Sequence, residues 1–390
     1  MQPTGVLETS RATNRLKALL DFGQSLWLDY IRRDLITSGS LKKMIEDDGL
    51  RGMTSNPSIF EKAIAESSLY DDMLHALASR QDLDATGRFE QIAIRDIQDA
   101  ADILRPVYEE SKCRDGYVSL EVSPLLALET QKTIDEARRL WKAVNRGNVM
   151  IKVPGTAEGI PAIRQLVGEG ININVTLLFA QEVYEKVAEA YIAGLEDLAK
   201  RAGNLKTMAS VASFFISRID TLVDSMIDGR LKASTDPQQQ SLLKSLKGKV
   251  AIANGKLTYQ RYQKLFSGPR WEALASKGAQ TQRVLWASTS TKNPEYRDVM
   301  YVEELIGPDT VDTVPPATVD AFRDHGKLRN SLTENVPAAQ KVMDDLAKAG
   351  ISMKEVTDKL TTDGVKLFAD AFNKLLAAVE KSTQSKGKSA

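Results

Sequence analysis

The chain has 390 residues, with 52 Lys+Arg against 52 Asp+Glu, a formal net charge of zero, 2 His and 1 Cys. That balance excludes the basic excess of a nucleic-acid binder and the polybasic cluster of a membrane-surface protein, so neither partner is expected. One cysteine cannot close an intrachain disulfide, and two distant histidines, His75 and His325, cannot build a zinc centre of the usual Cys/His kind, so no metal site is expected.

The stretch Met1 to Gly5 lacks the charged and apolar regions of a secretory signal. No apolar run approaches the roughly 18 residues of a membrane span. A cytoplasmic location is expected.

Short β-branched or apolar runs recur along the chain, each ending in small or polar residues and followed by a segment with helical spacing. In order they are Ser25–Tyr30, Arg51–Asn56, Val118–Ser123, Val149–Pro154, Ile171–Leu178, Thr207–Phe215, Arg283–Ser288 and Thr310–Val314. Pro124–Val144, Ala157–Val167 and Phe179–Arg201 lie between them, with apolar residues returning every three or four positions. Repeated strand–helix order implies parallel strands joined by crossovers. Eight such units close an α/β barrel of the (β/α)8, or TIM, kind.

Three regions exceed the minimal unit. Ile59–Arg80 and Ala85–Lys112 predict two helical stretches between the second and third strands. Ile227–Thr281 predicts a helical insertion between the sixth and seventh, with turns at Asp236-Pro237 and Gly268-Pro269. Ala317–Ala378 predicts C-terminal helices, the last carrying an apolar stripe of Val365, Phe368, Ala369, Phe372, Leu375 and Leu376. One domain over 1–381 is expected, followed by a disordered tail, Ser382–Ala390, of Ser, Lys, Gly and Gln.

In such a barrel the C-terminal strand ends converge on the active site. Polar groups there cost several kcal/mol if buried without partners. Alternation in Val149-Met150-Ile151-Lys152-Val153-Pro154 puts Lys152 on the face of Met150 and Pro154. A lysine near its usual pKa of about 10.4 is protonated and no nucleophile. Desolvation frees the amine, which can attack a ketone to form a Schiff base. A lone strand lysine more often reaches to solvent, but Asp29 and Glu121 end other strands and can carry the protons that imine chemistry moves. Read alone, Asp29 is a turn or capping carboxylate, and Glu121 is half of a structural ion pair with Lys152.

The other strand ends are polar too. Asn56 offers donor and acceptor to a hydroxylated substrate, although Ser-Asn-Pro-Ser also reads as a loop leading into a helix with Ser58 as its N-cap. Asn174 and Thr176 share a face in Asn172-Ile173-Asn174-Val175-Thr176, favouring a lined cavity over a dry core. Arg218 opens the helix after the sixth strand and can hold a phosphate bidentately, or equally a surface carboxylate such as Asp220. Ser288-Thr289-Ser290-Thr291-Lys292 is a hydroxyl-rich loop with one cation. No glycine-rich nucleotide fingerprint occurs, so no cofactor is expected.

Thr54-Ser55-Asn56-Pro57-Ser58-Ile59-Phe60, Ile151-Lys152-Val153-Pro154-Gly155-Thr156, Gly170-Ile171-Asn172-Ile173-Asn174-Val175-Thr176-Leu177 and Ser213-Phe214-Phe215-Ile216-Ser217-Arg218 together resemble the transaldolase family, in order from about Asp29 to Pro315. The insertion and the extended C-terminus resemble its longer bacterial type. The resemblance implies transfer of a dihydroxyacetone unit from sedoheptulose 7-phosphate to glyceraldehyde 3-phosphate, with sugar phosphates as the partners and no cofactor. It implies Lys152 as Schiff-base nucleophile, Asp29 as acceptor of the C4-hydroxyl proton, and Glu121 with Thr176 and a water as proton carriers. Asn56, Asn174 and Ser213 would hold the substrate hydroxyls, Phe215 would be an apolar wall, and Arg218 would bind phosphate. At the family's second phosphate position, after the seventh strand, Ser288 and Lys292 stand instead of an arginine. Related aldolases that release dihydroxyacetone carry Gln and Tyr where this chain has Glu121 and Phe215. A barrel that only binds sugar phosphates would have Lys152 or Glu121 replaced. A monomer and a homodimer fit equally well.

Overall fold

A computed structural model describes residues 14–387. The stretch Met1 to Gly5, read above for a secretory signal, and the last three residues of the tail lie outside them. Eight parallel strands pair in sequence order and close on themselves: β1 (Gln24–Asp29), β2 (Gly52–Thr54), β3 (Tyr117–Glu121), β4 (Val149–Pro154), β5 (Ile173–Leu178), β6 (Ser210–Phe215), β7 (Arg283–Ala287) and β8 (Thr310–Val314). This is the (β/α)8 barrel that the strand–helix alternation predicts. Among the described residues no helix is long and apolar enough to cross a membrane.

Strand register decides what meets inside. Glu121 pairs with Lys152, and Lys152 with Asn174, so three polar residues on β3, β4 and β5 form one row. Paired residues on parallel strands point to the same side of the sheet, and here that side is the interior. Asp29 pairs with Thr54 at the top of β1 and β2. The opposite end is closed by a buried network in which Arg283 lies 2.8 Å from Asp115 and donates to Ser25 Oγ, also at 2.8 Å. Burial pushes the Asp115 carboxyl up, but the Arg283 charge and hydrogen bonds outweigh it and leave it below its ordinary value.

The additions differ in detail from expectation. Between β2 and β3 stand three helices, Pro57–Ala65, Asp71–Ala78 and Ala85–Glu110, where the pattern predicted two. The break falls where Ser67 Oγ donates to the Ala63 carbonyl at 2.5 Å, giving the backbone an alternative to continued helix. After β6 the helix Ser217–Ala233 runs through Ile227, whose buried side chain continues its inner face, so the extra segment begins after Ala233. Pro237 and Pro269, read as turn signals, each open a helix at its first turn, where a missing N–H costs nothing.

The last helix, Met353–Gly387, enters the segment expected to be disordered. Propagating a formed helix is far easier than nucleating one, and Thr383 Oγ1 donates to the Val379 carbonyl at 3.0 Å. This helix packs on Pro57–Ala65 and Asp71–Ala78 and crosses the top of the barrel.

Candidate active site

A cavity of about 280 Å³ opens at the C-terminal strand ends. Lys152 stands in its wall, 5% exposed, because alternation along a fully buried strand leaves its side chain no direction but inward. Its Nζ donates to the Ser55 carbonyl at 3.0 Å and lies 3.4 Å from Glu121 Oε2. Ser55 is itself fixed, its Oγ donating to the Ser119 carbonyl at 2.7 Å.

Asp29 faces the same cavity and accepts a 2.8 Å hydrogen bond from Thr54 Oγ1. Burial raises the Asp29 carboxyl above its ordinary range against the pull of Lys152, the Thr54 hydrogen bond, Lys292 and Arg218. Burial likewise raises Glu121, opposed by Lys152 and helped by the Asp29 charge. Two carboxyls held above their usual range beside a buried amine make an arrangement suited to proton transfer.

Thr176 lines the cavity, and its buried Oγ1 has no hydrogen-bond partner among the described residues. Ser213 also lines it and donates to Asn174 Oδ1 at 2.7 Å, while Asn174 Nδ2 donates to Ser119 Oγ at 3.0 Å. Asn174 and Glu121 are absent from the cavity wall itself: Asn174 lies against Ser213 and Glu121 against Lys152. Asn56, not Ser58, caps the helix Pro57–Ala65: its Oδ1 accepts from the Ile59 N–H at 3.1 Å. Asn56 thus lines the cavity with its side-chain oxygen engaged by the cap.

The other end of the cavity is cationic. Arg218 lies in the first turn of Ser217–Ala233, and no carboxylate of the described residues comes within ion-pair distance of it. Asp220, the alternative partner, instead accepts from the Ala251 N–H and from Tyr301 OH. The Arg218 guanidinium carbon lies 5.2 Å from the Phe215 ring centroid. Lys292 Nζ donates to Ser290 Oγ at 2.7 Å, and Ser288, in the left-handed region at φ 58, shares a 2.9 Å hydrogen bond with Ser217. Burial lowers Arg218, and burial with the Arg218 charge lowers Lys292. Arg218, half-buried, and Lys292, exposed, thus bring two cations to this end with no carboxylate of the described residues in ion-pair distance, an arrangement suited to an anion.

The family model described as Transaldolase/Fructose-6-phosphate aldolase matches residues 26–379. The chain belongs to this family. It is 48% identical over 372 residues to the transaldolase of Trichodesmium erythraeum, covering 94% of this chain and 97% of that one. It is 46% identical over 366 residues to the transaldolase of Thiobacillus denitrificans, covering 94% and 99%. The transaldolase of Thermobifida fusca is 45% identical over 365 residues, covering 93% and 97%.

Against this family background the structure adds wall residues that the strand-end reading missed. Ser290 and Thr313 line the cavity, as do Phe368 and Ala371 of the last helix. The apolar stripe containing Phe368 was visible in the sequence, but its period does not say which strand ends it covers.

Proposed function

We propose that this protein is a transaldolase that carries a dihydroxyacetone unit from sedoheptulose 7-phosphate to glyceraldehyde 3-phosphate, giving erythrose 4-phosphate and fructose 6-phosphate. The observation that carries this reading is the buried Lys152, flanked by Glu121 and facing a cavity that holds Asp29 and a cationic far end. The cationic far end of that cavity suits a sugar phosphate, and we place the enzyme in the cytoplasm.

The ketose phosphate lies with its phosphate toward Arg218 and Lys292 and its carbonyl carbon at Lys152. Nζ attacks C2, and Glu121 and Thr176 relay protons through a water as the carbinolamine loses its hydroxyl to form the imine. The buried, unpartnered Thr176 Oγ1 supports that relay. Asp29 then takes the C4-hydroxyl proton. The C3–C4 bond breaks, its electron pair flows into the imine, and the shortened aldose departs. The acceptor aldehyde enters, the enamine C3 attacks its carbonyl carbon, and Asp29 returns the proton to the new hydroxyl. Hydrolysis of the imine frees the product. Asn56 and Ser213 hold the three-carbon hydroxyls, and Asn174 orients Ser213.

Glu121 and Phe215 favour transfer over release of dihydroxyacetone, since a tyrosine in the place of Phe215 would bring a hydroxyl to the cavity wall. Borohydride reduction in the presence of fructose 6-phosphate, followed by peptide mass mapping, tests the imine. An adduct on Lys152 is expected, and its absence removes the proposal.

A further inference from the structure

Transfer demands that the three-carbon enamine outlive the departure of one aldehyde and the arrival of the next. Water reaching the imine carbon in that interval would release dihydroxyacetone. The strand residues line the cavity's floor and sides, and the last helix lays a face across its top. A Cβ built on Gly364 would come within 3.0 Å of Leu177 Cδ2 and 4.0 Å of Arg218 Nη1, so the backbone here sits close over β5. One turn on, the Phe368 ring centroid is 5.9 Å from Lys152 Nζ and 5.9 Å from the Arg218 guanidinium carbon. Ala371 also borders the cavity, its small side chain leaving room beside the ring.

Positions 364, 368 and 371 recur at helical spacing, so they share a face. Gly364 permits the close approach, Phe368 fills the roof, and Ala371 leaves a gap. The helix is held by a different set of contacts: Phe372 meets Phe89 edge-on at 6.0 Å, Phe89 meets Phe60 at 5.4 Å, and Leu375 is fully buried. Phe368 is 9% exposed and, although it joins the hydrophobic core, its ring also faces two charged groups, Lys152 and Arg218. Phe215 and Phe368 together flank the Arg218 guanidinium.

We propose that Phe368 is a specificity-determining residue. Its ring roofs the Lys152 imine, keeps water from the enamine, and so sets the partition between transfer and release. The inference rests on the transaldolase reading and extends it to a residue outside the barrel. Release requires protonation of the enamine at C3, then addition of water at C2 and cleavage of the C2–Nζ bond. The products are dihydroxyacetone and the free Lys152 amine, with atoms balanced by one water. Shielding a reactive intermediate from that water is a recognised task of closed sites.

The test compares Phe368→Ala, Phe368→Leu and Phe372→Ala with the parent protein. Free dihydroxyacetone and transferred product are measured from fructose 6-phosphate, with erythrose 4-phosphate as acceptor. Phe368→Ala should raise the release-to-transfer ratio about tenfold, while Phe368→Leu, which keeps apolar bulk, should stay within about threefold of the parent. Phe372→Ala, which loosens the same helix without opening the roof, should leave the ratio near the parent's. An unchanged ratio in Phe368→Ala, or an equal rise in Phe372→Ala, overturns the assignment. Borohydride trapping keeps the two readings apart. If Lys152 is trapped normally while the ratio stays fixed, the role of Phe368 alone falls; if the parent protein is not trapped, both fall.

Discussion

Glu121 Oε2 and Lys152 Nζ lie 3.4 Å apart on paired positions of β3 and β4, with both side chains nearly sealed from solvent. Among the described residues neither Glu121 oxygen has a well-formed hydrogen bond, and burial holds the carboxyl above its ordinary range in spite of the lysine. A carboxyl so placed can give and take protons at Nζ and at the departing hydroxyl. Glu121→Gln keeps the shape and removes that capacity. Imine formation should slow by about 10²- to 10⁴-fold, read as the rate at which the borohydride-trapped adduct accumulates. A trapping rate equal to the parent's would remove Glu121 from the proton path.

Asp29 governs a different bond. Its Oδ1 accepts from Thr54 Oγ1, which in turn lies 2.7 Å from Thr313 Oγ1, so the carboxylate is aimed by residues of two strands beside its own. Asp29→Asn should leave trapping with fructose 6-phosphate intact and cut carbon–carbon cleavage by about 10²-fold or more. The check is release of glyceraldehyde 3-phosphate from fructose 6-phosphate in single-turnover mixing. Loss of both steps together would assign Asp29 to binding instead.

Arg218 tests the anion end. Its planar fork suits a phosphate, and a lysine cannot reproduce two parallel hydrogen bonds or the guanidinium's approach to the Phe215 and Phe368 rings. Arg218→Lys should raise KM for fructose 6-phosphate by about 10- to 100-fold and leave activity on unphosphorylated fructose nearly unchanged. Equal losses on both sugars would mean that Arg218 holds the site's shape and not the phosphate.

The barrel and most of the cavity wall were legible in the sequence because each rests on alternation within a short run. Lys152, Asn174 and Thr176 declare themselves as polar residues in otherwise apolar strands, and register then sets Lys152 beside Asn174, with Thr176 two residues further along β5. Asn56 was half legible: its cap to Ile59 is local, but the competing choice of Ser58 turns on backbone geometry that composition does not reveal. Phe368 was not legible as a roof. It is joined to Lys152 by a contact across more than half the chain, and a phenylalanine in an amphipathic stripe looks the same whether core or cavity lies beneath it. The helical continuation through Gly387 was missed for a related reason, since tail composition carries no trace of the long helix that propagates into it.

Asp312 on β8 supplies a pH dependence that is separate from turnover. It is 0% exposed, its Oδ1 accepts from Thr289 Oγ1 at 3.0 Å, and its Oδ2 has no partner among the described residues. Burial pushes its carboxyl from 3.8 up to about 7, opposed only by the Thr289 hydrogen bond. The folded protein thus holds this proton more tightly than the unfolded chain does. The resulting stability is fully present below about pH 3.8, and it is lost as pH rises toward about 7, beyond which this group adds no further slope. The slope between those limits is at most about 1.4 kcal/mol per pH unit. Asp312→Asn imitates the neutral carboxyl at every pH and keeps an acceptor for Thr289, which lies between Ser288 and Ser290 in the loop after β7. Its thermal midpoint relative to the parent should therefore climb from pH 5 to pH 8, measured by melting both proteins in matched buffers. A constant difference across that range would mean that Asp312 titrates alike in the folded and unfolded chain.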